Sequence, residues 1–339
     1  LWNGTSWSEQ NDLAVARNTA APAGTSTAAL ASTGVDQTPV FTTNVEEWNA
    51  NVAVGAWATS GSTSTTRSDL ASIGIQTSAI AAGGTNPGGF KSLTELYNGT
   101  VWAEVNDLNT ARHTVTGAGA SATAGLAIGG QSSPPSSTGI TELWNGYTWT
   151  EVADLNTARQ ALYGVGTSTA ALAFGGGTPP ISSNINTNNE SWNGSSWTEV
   201  ADLNTARRSL AGAGTQPSAI AFGGQTTTAA SATTESWNGS AWTEVNDLNK
   251  TTNNGLAGAG DSNTSALAFG GGSPASSRTE SWNGTNWSNE NSMSAGRLGT
   301  GGCGTQTLAL NFLGEPFTNT TEEWNGTGLH TTTVTTTIE

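Results

Sequence analysis

Apolar positions in this chain arrive in short bursts separated by glycine- and asparagine-rich turns. No 3.6-residue stripe persists for ten positions, and glycine, threonine and other β-branched residues are dense, so the pattern predicts strands and no helix. Residues 207–250 show the unit. A small-residue segment, 209–214, opens it, and an apolar run, 218–222, follows and stops at Gly223 and Gly224. Segment 233–237 alternates apolar and polar in the period-two manner of a half-buried strand. Asn238 and Gly239 both accept positive φ and predict a tight hairpin into a fourth strand at 241–245. Residues 246–249 then lead into the next unit. The four strands of each unit are A, B, C and D in chain order.

The unit recurs along the whole chain. A Trp-Asn-Gly type triplet has its aromatic at Trp2, Trp48, Tyr97, Trp144, Trp192, Trp237, Trp282 and Trp324. The intervals, about 42–49 residues, are those of four-stranded propeller blades. A second tryptophan follows at Trp7, Trp102, Trp149, Trp197, Trp242 and Trp287; in the second copy it comes at Trp57, after a four-residue insertion, and in the last Leu329 takes its place. The two series hold all 14 tryptophans, so none lies outside the repeat. The A strands begin after Arg17, Arg67, Arg112, Arg159, Arg207, Asn253 and Arg297. That count predicts an all-β, seven-bladed β-propeller of four-stranded antiparallel blades, a single domain over residues 1–326 with blades starting near 17, 67, 112, 159, 207, 253 and 297. Residues 1–13 read as a C–D hairpin that closes the ring, because open sheet edges invite aggregation. The alternative is closure by the Thr-rich strand or tail, 327–339.

Composition narrows the function classes. Lys and Arg number 10 against 25 acidic residues, a net charge of −15, and no basic cluster exists to neutralise phosphates, which argues against nucleic acid and anionic membranes as partners. No run of about 18 apolar residues predicts a membrane-spanning helix. A chain that starts at Leu1 is compatible with a processed precursor. Charged residues make up only 10% of the chain, and Ser, Thr, Asn, Gly and Ala occupy the surface that Lys and Glu usually take. One cysteine, Cys303, leaves no internal disulfide and no multi-cysteine metal site.

A Gly pair closes strand B at Gly83–Gly84, Gly129–Gly130, Gly175–Gly176, Gly223–Gly224 and Gly270–Gly271, with single glycines at Gly34 and Gly314. Followed by an aromatic before a glycine turn, then Trp, then Arg, this order resembles the kelch repeat, although Trp-Asn stands where kelch strands carry Tyr-Asp. The wording Trp-Asn-Gly-Ser-Ser-Trp-Thr-Glu-Val, Asn-Thr-Ala-Arg, Gly-Ala-Gly-Thr-Gln and Ala-Leu-Ala-Phe-Gly-Gly is similar to repeat proteins of marine bacteriophages and bacteria. The resemblance implies structural or adhesive work on a virion or outside the cell, as tail fibre, spike or capsid-surface protein. The implied partners are other virion or surface proteins and a host glycan or receptor, with no cofactor and no membrane insertion. A secreted or cell-surface adhesin or carbohydrate-binding propeller is the alternative, and a secreted carbohydrate-active enzyme ranks third. The sequence does not set an oligomeric state.

Two charged series repeat with the strands. Glu46, Glu95, Glu142, Glu190, Glu235, Glu280 and Glu322 each stand two residues before the strand-C aromatic, and an arginine precedes strand A in six of seven copies, Asn253 being the exception. Repetition favours structural ion pairs, since a catalytic centre needs one unique constellation. The residues expected to hold the repeat together are therefore Trp144, Trp149, Trp192, Trp197, Trp237 and Trp242, Glu142, Glu190 and Glu235, Arg112, Arg159 and Arg207, and the Gly175–Gly176 and Gly223–Gly224 pairs. No catalytic, cofactor-binding or metal residue is predicted. His113 and His330 are too few for a histidine metal centre or a triad. Kelch-type copper oxidases need a Cys–Tyr cross-link with two histidines, and sialidase propellers an arginine triad; outside the repeat only Arg208 and Arg278 are spare. Glu315, Asp36 and Asp69 are uniquely placed acids without a recognisable motif, and Asp261 with Asn263 lacks calcium-loop spacing. Specificity is expected in the loops of varying length at 50–55, 84–90, 131–139, 177–187 and 225–233. The axial channel, lined by Gly-Ala-Gly segments, is expected to be narrow, apolar and chemically quiet.

Overall fold

The computed structural model describes residues 55–326 apart from 253–254, and beyond them the backbone of Arg17–Asn18, Ala21–Gly24, Ala28–Ser32, Val35–Asp36, Val45–Asn49, Ala53–Ser60, Thr321–Leu329 and Thr335–Thr336. It falls into two units, one of residues 56–325 and one of residues 1–55 with 326–339.

The larger unit is an all-β propeller. Blade 1 runs Ala71–Ile75, Ser78–Ala82, Thr94–Tyr97 and Trp102–Glu104, each strand antiparallel to the next. Blades 2 to 5 repeat the order, opening with Thr116–Ser121, Tyr163–Gly166, Ala211–Thr215 and Leu256–Ser262. Blade 6 takes Gly301–Gly304, Leu308–Phe312 and Thr321–Leu329 from the end of the chain, and its fourth strand, Ala53–Ser60, from upstream of blade 1.

The ring among the described residues therefore has six blades, and the seven predicted from the repeat count are not made. The reason lies in the irregular copies. The second copy separates Trp48 from Trp57 by the insertion and lacks the Asn-Gly turn, so its C and D strands are not joined as a hairpin. The last copy lacks a second tryptophan. Trp57 fills that vacancy: its ring lies 5.0 Å from Phe269 and 5.4 Å from Trp324, and its indole N–H donates to Thr279 Oγ1 at 2.9 Å. The backbone N–H of Gly314 in blade 6 donates to Arg67 O ahead of blade 1 at 2.9 Å, completing the circle.

In the smaller unit, strands Ala21–Gly24, Ala28–Ser32 and Val45–Asn49 keep the A–B–C order, and Thr335–Thr336 pairs beside Val45–Glu46 in the D position. The Thr-rich tail thus completes this sheet. The hairpin read at 1–13 lies outside the described residues.

The core sits between blades. Leu172 and Phe174 of blade 3 pack with Trp237 and Trp242 of blade 4, and the same pattern recurs around the ring. Within a blade the two tryptophans meet as a cross-strand pair, Trp144–Trp149 at 5.3 Å and 45°, a geometry that adds about 0.5–1.5 kcal/mol beyond simple burial.

Candidate functional site

The repeated charges come first, because they fix the face on which a site can form. Arg207 is fully buried; its Nη1 donates to Gly223 O and Thr233 O at 2.9 and 2.6 Å, and its Nη2 to Glu235 Oε1 at 2.9 Å. The other Glu235 oxygen accepts the backbone N–H and side-chain amide of Asn204, at 2.7 and 2.9 Å. Arg67–Glu95, Arg112–Glu142, Arg159–Glu190 and Arg297–Glu322 are equivalent pairs. Burial pulls the guanidinium pKa of Arg112, Arg159 and Arg207 down, and the facing glutamates push it back up. A buried ion pair survives only when most of its lone pairs and protons are bonded. Here the backbone and the asparagines bond the Nη groups and the carboxylate oxygens, while Nε of each of these five arginines is buried without a partner. Arg278 pairs with Glu280 in blade 5, the copy whose sequence carries Asn253; residue 253 itself lies outside the described residues.

The expected repeat residues all lie in these frames. Trp144, Trp192 and Trp237 are buried in C strands, with their indole N–H groups on carbonyls of the A–B turns, those of Ala122, Ser168 and Gln216. Trp149 and Trp197 in D strands reach the preceding blade and donate to Thr94 Oγ1 and Thr141 Oγ1, each at 3.1 Å. Asn189 opens the C strand where the threonine would receive Trp242, and neither the Trp242 indole N–H nor Asn189 Oδ1 has a partner. Gly175 and Gly176 turn the chain at φ 66° and 91°, and a Cβ at Gly176 would lie 2.7 Å from Gln160 O, so only glycine fits. Gly176 N–H then donates to Arg207 O of the next blade at 2.8 Å. The Gly223–Gly224 pair makes the same turn in blade 4, at φ 65° and 94°.

Sequence reasoning missed three repeated roles. Asn109, Asn156, Asn204 and Asn249 bond the glutamates, and Nδ2 of each also donates to a D-strand tryptophan carbonyl. The recurring Asp-Leu-Asn segment was the visible signal. Gln76, Gln216 and Gln306 donate to Trp324 O, Trp192 O and Trp282 O of the preceding blade, and Asn263 does so to Trp237 O, which gives Asn263 a structural role. The third is a collar of left-handed residues around the axis: Asp69, Thr114, Ala161 and Ser209 at φ 55°, 48°, 54° and 49°, with Gly255 and Gly299 at 55° and 59°. Neighbours in the collar bond through the backbone, as from Asp69 N–H to Gly299 O at 2.8 Å and from Ser209 N–H to Ala161 O at 2.8 Å. A β-branched residue such as Thr114 held there costs of order 1–3 kcal/mol and marks a fixed rim.

Inside the collar a cavity of about 70 Å³ includes Asp69, Thr116 and Tyr163 in its wall, and a second of about 80 Å³ continues along the axis past Gly212, Gly258 and Cys303. Tyr163 lines both and reaches across to Gly258 O of blade 5. The channel is narrow, as its glycines dictate, but it is not uniformly apolar. Burial raises the Asp69 pKa, and the Ser68 hydroxyl, with its single proton, lies 3.0 Å from Asp69 Oδ2 and 3.2 Å from Glu315 Oε1. Burial pushes the Cys303 thiol up to about 12.

Outside the collar, on the face where the variable loops emerge, a groove of about 350 Å³ opens beside Thr114, Ala161 and Ser209, which it shares with the axial cavity. Its walls are Pro135 from loop 131–139 and Pro179, Pro180 and Ile181 from loop 177–187, and its floor carries His113, Gln131, Gln160 and Arg208. Antiparallel bridges His113–Gln131, Gln160–Gly177 and Arg208–Gln225 splice these positions to the loop bases. The His113 ring lies tilted against Phe90, centroids 4.1 Å apart at 45°, and its Nε2 lies 2.5 Å from Gln131 Oε1. The floor is thus rigid while the walls are the segments that differ from blade to blade.

Among the described residues no group of three or more His, Cys, Asp or Glu is placed to hold a metal, and no helix is long and apolar enough to cross a membrane. These features define a β-propeller with a loop-face groove. No protein-family model matches the chain, and no curated protein matches it.

Proposed function

We propose that this chain is a non-enzymatic recognition module of the kelch-like, phage-type repeat class, carried on a virion or cell surface and binding its partner through the loop-face groove. The observation that carries the reading is the groove's construction. Walls from loops unlike those of other blades stand on a hydrogen-bonded floor of repeat positions. Its volume falls at the lower end of the range for specific ligand sites. A hydroxyl-rich surface of low charge, 10% of residues, suits an exposed protein. As a tail-fibre, spike or capsid-surface protein, it would present this face to the host or to neighbouring virion proteins.

The test is binding of the labelled chain to intact bacterial cells from its source environment, with Ile181→Asp and wild type compared. Saturable binding that Ile181→Asp abolishes without lowering the melting temperature supports the reading. Binding untouched by Ile181→Asp, or an absence of binding, removes the groove from it. Cryo-EM of particles from the native source separates a virion protein from a free adhesin.

A further inference from the structure

Among the arginines whose side chains are described, the ionic pairing leaves one guanidinium over. Arg67, Arg112, Arg159, Arg207, Arg278 and Arg297 each hold a glutamate. Of the arginines with described side chains, Arg208 alone has no carboxylate partner. Its Nη2 donates to Gln225 Oε1 at 2.6 Å, which fixes the head group and leaves Nη1 without a protein carboxylate. Arg208 lies in the groove, and no Asp or Glu lines that groove. In a chain of net charge −15, this is an unneutralised cation in a concave, largely apolar site.

We propose that the groove binds a carboxylate-bearing sugar, a uronic or sialic acid residue, with Arg208 as its carboxylate anchor; the inference rests on the recognition reading above and specifies its ligand. A planar guanidinium already held along one side offers its remaining N–H groups as a preformed fork, and a carboxylate matches that fork with two parallel hydrogen bonds. The six other described guanidinium groups are each met by glutamate, so this site lacks what the repeat supplies to them. The rest of the lining selects a sugar over a simple organic acid. The side-chain amide N–H groups of Gln131 and Gln160 and the hydroxyl of Ser209 lie in the lining and suit ring hydroxyls. Pro135, Pro179, Pro180 and Ile181 give rigid apolar faces for the C–H surface of a pyranose at little entropic cost.

The experiment uses the full chain and isothermal titration with matched pairs: sialyllactose against lactose, and a glucuronic-acid-terminated disaccharide against its carboxyl-reduced counterpart. At least one acidic sugar should bind, with its neutral partner at least tenfold weaker. Arg208→Ala should lose at least tenfold in affinity for the acidic sugar and nothing for the neutral one, and Arg208→Lys, which keeps the charge without the fork, should fall between. Since Arg208 holds no ion pair and its one side-chain bond is to Gln225, both variants should keep a cooperative melt well above the assay temperature, so that a loss of acidic-sugar affinity reads the site and not unfolding. Equal affinity within each pair, binding indifferent to Arg208→Ala, preference for sulfated over carboxylated sugars, or no binding across the panel each overturns the carboxylate assignment. None of these results touches the cell-binding test, in which Ile181→Asp decides the recognition reading separately.

Discussion

Asn189→Thr is expected to stabilise the propeller, and the size of the gain follows from one broken repeat. At five of six blade junctions a D-strand tryptophan donates its indole N–H to the threonine that opens strand C of the preceding blade: Trp102 to Thr321, Trp149 to Thr94, Trp197 to Thr141, Trp287 to Thr234 and Trp57 to Thr279, over 2.9–3.1 Å. At the sixth, Asn189 replaces threonine, and both Trp242 Nε1 and Asn189 Oδ1 are buried without partners. Threonine there would supply the missing acceptor and remove the stranded amide oxygen. A buried unsatisfied donor costs about 1–3 kcal/mol, and a hydrogen bond made in its place nets about 1 kcal/mol. The exchange gives up the bond from Asn189 Nδ2 to Ala201 O, but Ala201 is exposed and water can replace it. The net expectation is about 1–2 kcal/mol, read as a rise of about 2–4 °C in melting temperature per kcal/mol. Urea denaturation with a double-mutant cycle isolates the bond. Trp242→Phe should cost about 1 kcal/mol more in the Asn189→Thr background than in wild type. The reciprocal change, Thr141→Asn, should strand Trp197 and destabilise by a similar amount. A neutral or destabilising Asn189→Thr, or zero coupling to Trp242→Phe, would refute the reasoning.

Four further outcomes are expected from the same frame. Arg207→Met leaves Glu235 charged and buried and should cost about 3–5 kcal/mol in urea unfolding, with Arg207→Met/Glu235→Gln recovering part of it. Arg278→Ala should cost clearly less, because that guanidinium is 27% exposed and partly screened by water. A fragment 53–329, which keeps the strand Ala53–Ser60, should elute at the same oligomeric state as the full chain with a cooperative melt, whereas 62–329, which exposes the edge of blade 6, should aggregate in size-exclusion chromatography. With the Cys303 thiol at about 12 in the fold and nearer 9 when unfolded, its contribution is intact below about pH 9 and is lost as pH rises toward 12; native protein should resist a thiol reagent at pH 8, and Cys303→Ala should flatten that alkaline loss.

How much of this was legible in the chain depends on what kind of information each feature needs. The strands, the hairpin at Asn238–Gly239 and the tryptophan series are local patterns repeated many times, so each copy checks the others. The blade number is not local. It depends on which D strand pairs with which C strand, and a repeat count treats every copy as equal. The deciding irregularities were nonetheless present: a detached Trp57 and a last copy ending in Leu329 are complementary defects, and a ring that closes by exchanging them needs one copy fewer. The groove was legible only as a prediction that unequal loops carry specificity. That loops 131–139 and 177–187 face each other over Arg208 is a consequence of adjacent blades sharing one face, which needs the ring. Arg208 shows the limit most clearly. In sequence it is simply the second of two arginines, and only when Arg207 is seen to take the glutamate does its neighbour stand out as a charge the repeat does not use. Positions that a repeat satisfies identically in every blade are structural by that fact; the place to look for recognition is where one copy holds a group that its siblings lack and the fold leaves unpaired.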